Sequence, residues 1–104
     1  MSKLSLHYFL IQFCQVHELT LIFEYKFNPD RKWKADYFIK ELNLLIEYEG
    51  MGGKASGGIG GHQTLVGYTN NCEKYNSACL LGFKLLRYTS KNTNQSHKDL
   101  NQLL

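Results

Sequence analysis

Three carboxylates stand inside runs that are otherwise mostly apolar or aromatic. Asp36 lies in Trp33-Lys34-Ala35-Asp36-Tyr37-Phe38-Ile39, and Glu47 and Glu49 lie in Leu44-Leu45-Ile46-Glu47-Tyr48-Glu49-Gly50. Acids in such runs are costly to bury unless they are paired or hold a metal. Strand alternation puts Leu45, Glu47 and Glu49 on one face of the second run and Leu44, Ile46 and Tyr48 on the other. If the runs form a hairpin turning over Lys40-Glu41-Leu42-Asn43, Ile39 pairs with Leu44 and Asp36 falls opposite Glu47. Opposed residues project to the same side, so the three carboxylates meet on one patch. Like charges gathered this way repel, and a hard divalent cation is the usual remedy.

The elements that must position this patch follow from periodicity. Residues 3–17 read as an amphipathic helix with Leu6, Phe9, Leu10, Phe13, Cys14 and His17 on one face. Residues 20–27 read as a strand, and Asn28-Pro29-Asp30 as a turn. The two acidic strands come next, followed by Gly50–Gly61, a loop with seven glycines in twelve positions. A second helix is expected from Thr64 to Leu81, with Tyr68, Cys72, Tyr75 and Cys79 as its stripe and Gly82 as its stop. Residues 83–88 form a fourth strand, and 98–104 a short final helix. The expected fold is one α/β domain over 1–104: a helix, a three-strand antiparallel meander, a helix and a strand. A crossover makes the last strand parallel to the third, so the sheet is mixed.

The 104 residues are enough for one core. Twelve Lys and Arg against nine Asp and Glu give a net charge of +3, a mild excess that only weakly favours a polyanionic partner. Its distribution says more, since Lys26, Arg31, Lys32 and Lys34 bracket the acidic hairpin. Cys14, Cys72 and Cys79 are odd in number and not at zinc-site spacing, which reads as reduced core thiols of a cytoplasmic protein. The apolar stretch near the N-terminus is interrupted by Ser5, His7 and Gln12, so neither a targeting segment nor a membrane span is expected.

The order of elements and the acidic hairpin resemble the PD-(D/E)XK nuclease superfamily, over about residues 20–89. Ala35-Asp36 matches its Pro-Asp motif, and Glu47-Tyr48-Glu49 matches its acid-any-lysine motif with Glu49 in the lysine position. A group of small phage and prophage proteins in that superfamily is similar at Glu24-Tyr25-Lys26-Phe27, Pro29, Arg31, Trp33, Asp36 and Glu47–Gly50, and less specifically at His62 and Asn71–Asn76. The resemblance implies a restriction-endonuclease-like core and a Mg²⁺-dependent endodeoxyribonuclease, with Mn²⁺ able to substitute. It implies branched DNA as substrate, in the manner of Holliday junction resolvases, with 5′-phosphate products. Cutting both strands of a junction implies a homodimer. The first helix and the apolar tail are candidates for its interface. A phage or prophage source in a bacterial host is implied as well. A nicking or site-specific endonuclease of the same fold, and a non-catalytic nucleic-acid-binding module, are the alternatives.

Asp36 and Glu47 are then the metal ligands, and Glu49 a third ligand or a base that orients water. Glu24 sits opposite Asp36 if Asn28–Lys32 forms a five-residue connection, and on the other face after a one-residue slip. Lys74 could replace the motif lysine from the second helix, stabilising charge on the attacked phosphate. The plain alternative is a solvated lysine paired with Glu73 or Asn70. Lys54 and His62, with the basic residues at 26–34, are candidate DNA contacts. Gly53-Lys54 is followed by Ala55, so the loop is no P-loop. Trp33 reads as core rather than as a stacking platform.

Overall fold

The computed structural model describes residues 3–50 and 64–104. Helix α1 spans Lys3–Val16, β1 Leu21–Tyr25, β2 Ala35–Ile39, β3 Leu44–Tyr48, α2 Leu65–Leu80, β4 Lys84–Tyr88 and α3 Ser96–Asn101. Candidate residues Lys54 and His62, and nearly all of the glycine-rich loop, lie outside the described residues.

The four strands form one sheet in the order β1-β2-β3-β4, antiparallel through β3 and parallel between β3 and β4. The hairpin register is the expected one, with Ile39 opposite Leu44, Phe38 opposite Leu45 and Tyr37 opposite Ile46. A short 3-10 turn at Lys40–Leu42 and a left-handed Asn43 (φ 51°) close it. Asparagine tolerates that conformation better than most residues with a Cβ. Its amide donates to the Gly82 carbonyl (2.9 Å), and its own carbonyl accepts from the Lys84 amide (3.0 Å). The hairpin turn is thus bonded to the segment in which α2 ends and β4 begins.

The sheet has a core on each face. On one, Leu6, Leu10, Phe13 and Cys14 of α1 pack on Tyr37, Ile39, Leu44 and Ile46, with Leu100 of α3 completing the cluster. On the other, Ala78 of α2 meets Phe38 and Leu45, with Phe27 and Ala35 in the same cluster. The apolar stripe of α1 and much of the C-terminal tail are therefore used inside the chain. Leu4, Tyr8 and Val16 of α1 stay exposed.

Both long helices end in the same device. After α1, Glu18 is left-handed (φ 56°) and the Leu19 amide donates to the Cys14 carbonyl (2.8 Å). After α2, Gly82 (φ 90°) takes that place, and the Phe83 amide donates to the Ala78 carbonyl (3.0 Å). These are Schellman closures, which satisfy otherwise orphaned carbonyls.

Two sequence expectations are corrected. The Tyr68/Cys72/Tyr75/Cys79 stripe is not the inner face of α2: Tyr68, Cys72 and Cys79 are exposed. The face turned to the sheet carries Asn71, Lys74, Tyr75 and Ala78. Of the three thiols only Cys14 is buried, and burial pushes its pKa up to about 11. No helix among the described residues is long and apolar enough to cross a membrane.

This packing sets the expected cost of truncation. Leu45→Ala, at a fully buried position, should destabilise the chain by about 2–5 kcal/mol. Leu65→Ala, on the exposed side of α2, should stay within about 0.5 kcal/mol. Urea unfolding of the two variants checks the contrast, and equal losses would contradict this packing.

Candidate active site

Backbone pairing between β2 and β3 runs only as far as Tyr37 and Ile46. One residue further, Asp36 enters the space between the strands, and its Oδ2 accepts the Tyr48 amide hydrogen at 2.8 Å. The side chain takes the place of the next ladder bond, which leaves the two strands open at the end that carries the acids.

Each acid meets a cation from a different element. Lys74 of α2 brings its Nζ to 3.0 Å from Glu47 Oε2, with both side chains nearly buried. Arg87 of β4 donates from Nε to Glu49 Oε2 at 3.0 Å. Lys3 of α1 stands 3.8 Å from Asp36 Oδ1, with its side chain largely exposed. Tyr75 donates its hydroxyl to the same Glu49 oxygen at 2.6 Å, and the Arg87 guanidinium lies 3.9 Å from the centre of the Tyr75 ring. Glu49 therefore anchors a packed Tyr–Arg pair.

Glu47 is the most constrained of the three. It is 7% exposed, and its Oε2 receives no hydrogen bond of proper angle among the described residues despite the nearby ammonium. Burial pushes its pKa above the ordinary carboxylate value, the Lys74 contact pulls it down, and the charges of Asp36 and Glu49 push it up again, for a net rise. Asp36 and Glu49 are thus near enough to act on Glu47 through their charge.

The carboxylate donors are oxygen only, which suits Mg²⁺, although Glu47 Oε2 already has the Lys74 ammonium 3.0 Å away. Among the described residues, however, no three His, Cys, Asp or Glu side chains stand together closely enough to cage a metal ion. Mg²⁺ commonly binds through one or two carboxylates and keeps several waters, so two acids would be enough to hold it. Glu49 is committed to Tyr75 and Arg87.

The other candidates are spread around this centre. Glu24 lies in register opposite Asp36, between the Phe23–Tyr37 and Tyr25–Ala35 pairs, but its backbone is left-handed (φ 52°) and it is exposed. Lys26 donates to the carbonyls of Asn28 and Pro29 at 3.1 and 3.0 Å, closing the turn. Arg31 lies over the Trp33 ring at 3.7 Å and reaches Glu73 at 3.7 Å. Lys32 and Lys34 are exposed. Trp33 sits at the edge of the second core, and its indole donates to Asn70 Oδ1 at 3.3 Å.

Sequence reasoning missed Lys3, Tyr75 as a partner of Glu49, and Arg87. Arg87 was within reach of the same parity argument, because it alternates with Leu85 on the face of β4 turned to α2. Comparison with protein-family models, with curated proteins and with solved structures finds no match.

Glu47 should show itself in the pH dependence of stability. A carboxyl with a folded-state pKa above its unfolded value favours folding fully below the unfolded value, 4.5, and loses that contribution as the pH rises through the folded value. Between acid and neutral pH the wild type should therefore lose stability relative to Glu47→Gln. Urea unfolding at stepped pH reads the difference, and parallel curves for the two proteins would contradict the raised pKa.

Proposed function

We propose that the chain is a metal-dependent endonuclease that hydrolyses phosphodiester bonds in DNA, with branched DNA as its preferred substrate. The observation that carries this reading is the Lys74–Glu47 pair beside Asp36. At the open end of the hairpin Glu47 holds a nearly buried lysine from the crossover helix, and the charge of Asp36 acts on it as well. That set supplies what phosphodiester hydrolysis needs: oxygen ligands for a hard cation, and a positive charge for the phosphate as it becomes more negative. The resemblance to PD-(D/E)XK nucleases supports the same reading, with Lys74 serving in place of the lysine that Glu49 replaces.

Asp36 and Glu47 hold Mg²⁺ in this proposal. When bound, the ion lowers the pKa of an attacking water and polarises the phosphate. Lys74 shares its charge between Glu47 and the phosphate, and Glu49 holds Arg87 and Tyr75 in place beside them. The exposed Lys32 and Lys34 add sequence-independent attraction for the DNA backbone. Two cuts in a four-way junction require two such sites, which a two-fold pair of chains provides.

One observation favours a second reading, a nucleic-acid-binding module without catalysis: each acid already has a cation of the chain beside it. Cleavage assays on four-way and linear DNA, with Mg²⁺ or with chelator, separate the two. On the nuclease reading Asp36→Asn abolishes cleavage and leaves DNA binding intact. Lys74→Ala slows single-turnover cleavage by about ten- to a thousandfold, with partial rescue by Lys74→Arg. Cleavage in chelator, or full activity of Asp36→Asn, would overturn the mechanism.

A further inference from the structure

A cavity of about 210 Å³ lies beside Asp36, lined by Lys3, His7, Phe23, Glu24, Asp36 and Tyr37. Apart from Asp36, none of these residues serves in the reaction proposed above. One part of its lining is aromatic. The His7 and Phe23 rings are stacked, 5.1 Å apart and 26° from parallel, and Tyr37 meets Phe23 edge-on at 5.9 Å. A 3.0 Å hydrogen bond between His7 Nδ1 and the Tyr37 hydroxyl ties two of the rings together. Burial, then the charges of Asp36 and Glu24, push the Tyr37 pKa up, so the phenol keeps its proton. Phe23 is nonetheless 47% exposed, so part of its ring is open to solvent.

The charged residues complete the cavity. Lys3 contributes an exposed ammonium near Asp36. Glu24 interrupts the β1–β2 ladder in a left-handed conformation that is unfavourable for a residue with a Cβ. The result combines aromatic rings, a cation and a carboxylate acceptor in a space too small for a base pair.

We propose that this cavity receives the base of one unpaired nucleotide of the DNA substrate, stacked on the exposed Phe23 ring that His7 backs, with its phosphate on Lys3. The inference rests on the DNA reading above and adds the feature of the DNA that is recognised. Aromatic faces accept any base by stacking. Glu24, an acceptor only, favours bases with an exocyclic amine, which thymine lacks.

The test compares two DNA duplexes that differ by one unpaired nucleotide, with Ca²⁺ as the only divalent cation and affinity as the readout. The wild type should prefer the duplex with the unpaired nucleotide, and should bind an unpaired adenine or cytosine better than thymine. Phe23→Ala should lose about 5- to 150-fold of affinity on that duplex alone, the range expected for one stacked base. Phe23→Leu, which keeps apolar bulk and protects folding, should lose the preference too. Glu24→Gln should erase the discrimination against thymine, because an amide both donates and accepts. Equal wild-type affinity for the two duplexes, or an undiminished preference in both Phe23 variants, would overturn the cavity assignment. A wild type that binds neither duplex would overturn the DNA reading itself, and this inference with it.

Discussion

The nearly buried pair of Glu47 and Lys74 is the constraint around which the rest of the site is arranged. Burying a carboxylate costs several kcal/mol unless an opposite charge is close, and leaving a lysine alone in the same place costs a comparable amount. Glu47 cannot leave the sheet, because its neighbours Leu44, Leu45 and Ile46 are fully buried on the two faces of β3. The cation must therefore come to it. Helix α2 meets that requirement by turning its polar side inward at this end, so that Lys74 reaches Glu47 and Tyr75 reaches Glu49.

That requirement explains why the second helix was misread from sequence. Tyr68, Cys72, Tyr75 and Cys79 have helical spacing and apolar character, and on most sheets such a stripe faces in. Here the part of the sheet beneath α2 carries Glu47 and Glu49, with the apolar contact confined to Ala78 against Phe38 and Leu45. A polar sheet surface selects a polar helix face. Cys72 and Cys79 were assigned to the core by the same reasoning and failed with it, since they follow the outer side of the helix, whereas Cys14 on α1 is buried as expected.

Much of the scaffold was legible. The element order, the parallel fourth strand and the hairpin register all follow from alternation and turn length, which act locally and leave few alternatives. That register was also the ground for expecting Asp36 opposite Glu47, a pairing one step beyond the observed ladder. What sequence did not reveal depends on distant elements or on backbone detail. Lys3 comes from the first helix, and nothing local to it marks it as a partner of Asp36; Arg87 was open to the parity argument only once the last strand was set beside the third. The left-handed Glu24 is equally hidden, because a β-strand pattern gives no sign of a single residue that departs from it.

The central claim is that Glu47 and Lys74 act as one unit that fixes α2 on the sheet. A double-mutant cycle with Glu47→Gln, Lys74→Met and the combined variant, read by urea unfolding at neutral pH, tests it most directly. The pairing predicts a coupling energy of about 1–3 kcal/mol, with the double variant more stable than the sum of the single losses implies. A coupling near zero would mean that the two charges are solvated separately, and would contradict the arrangement of the site described above.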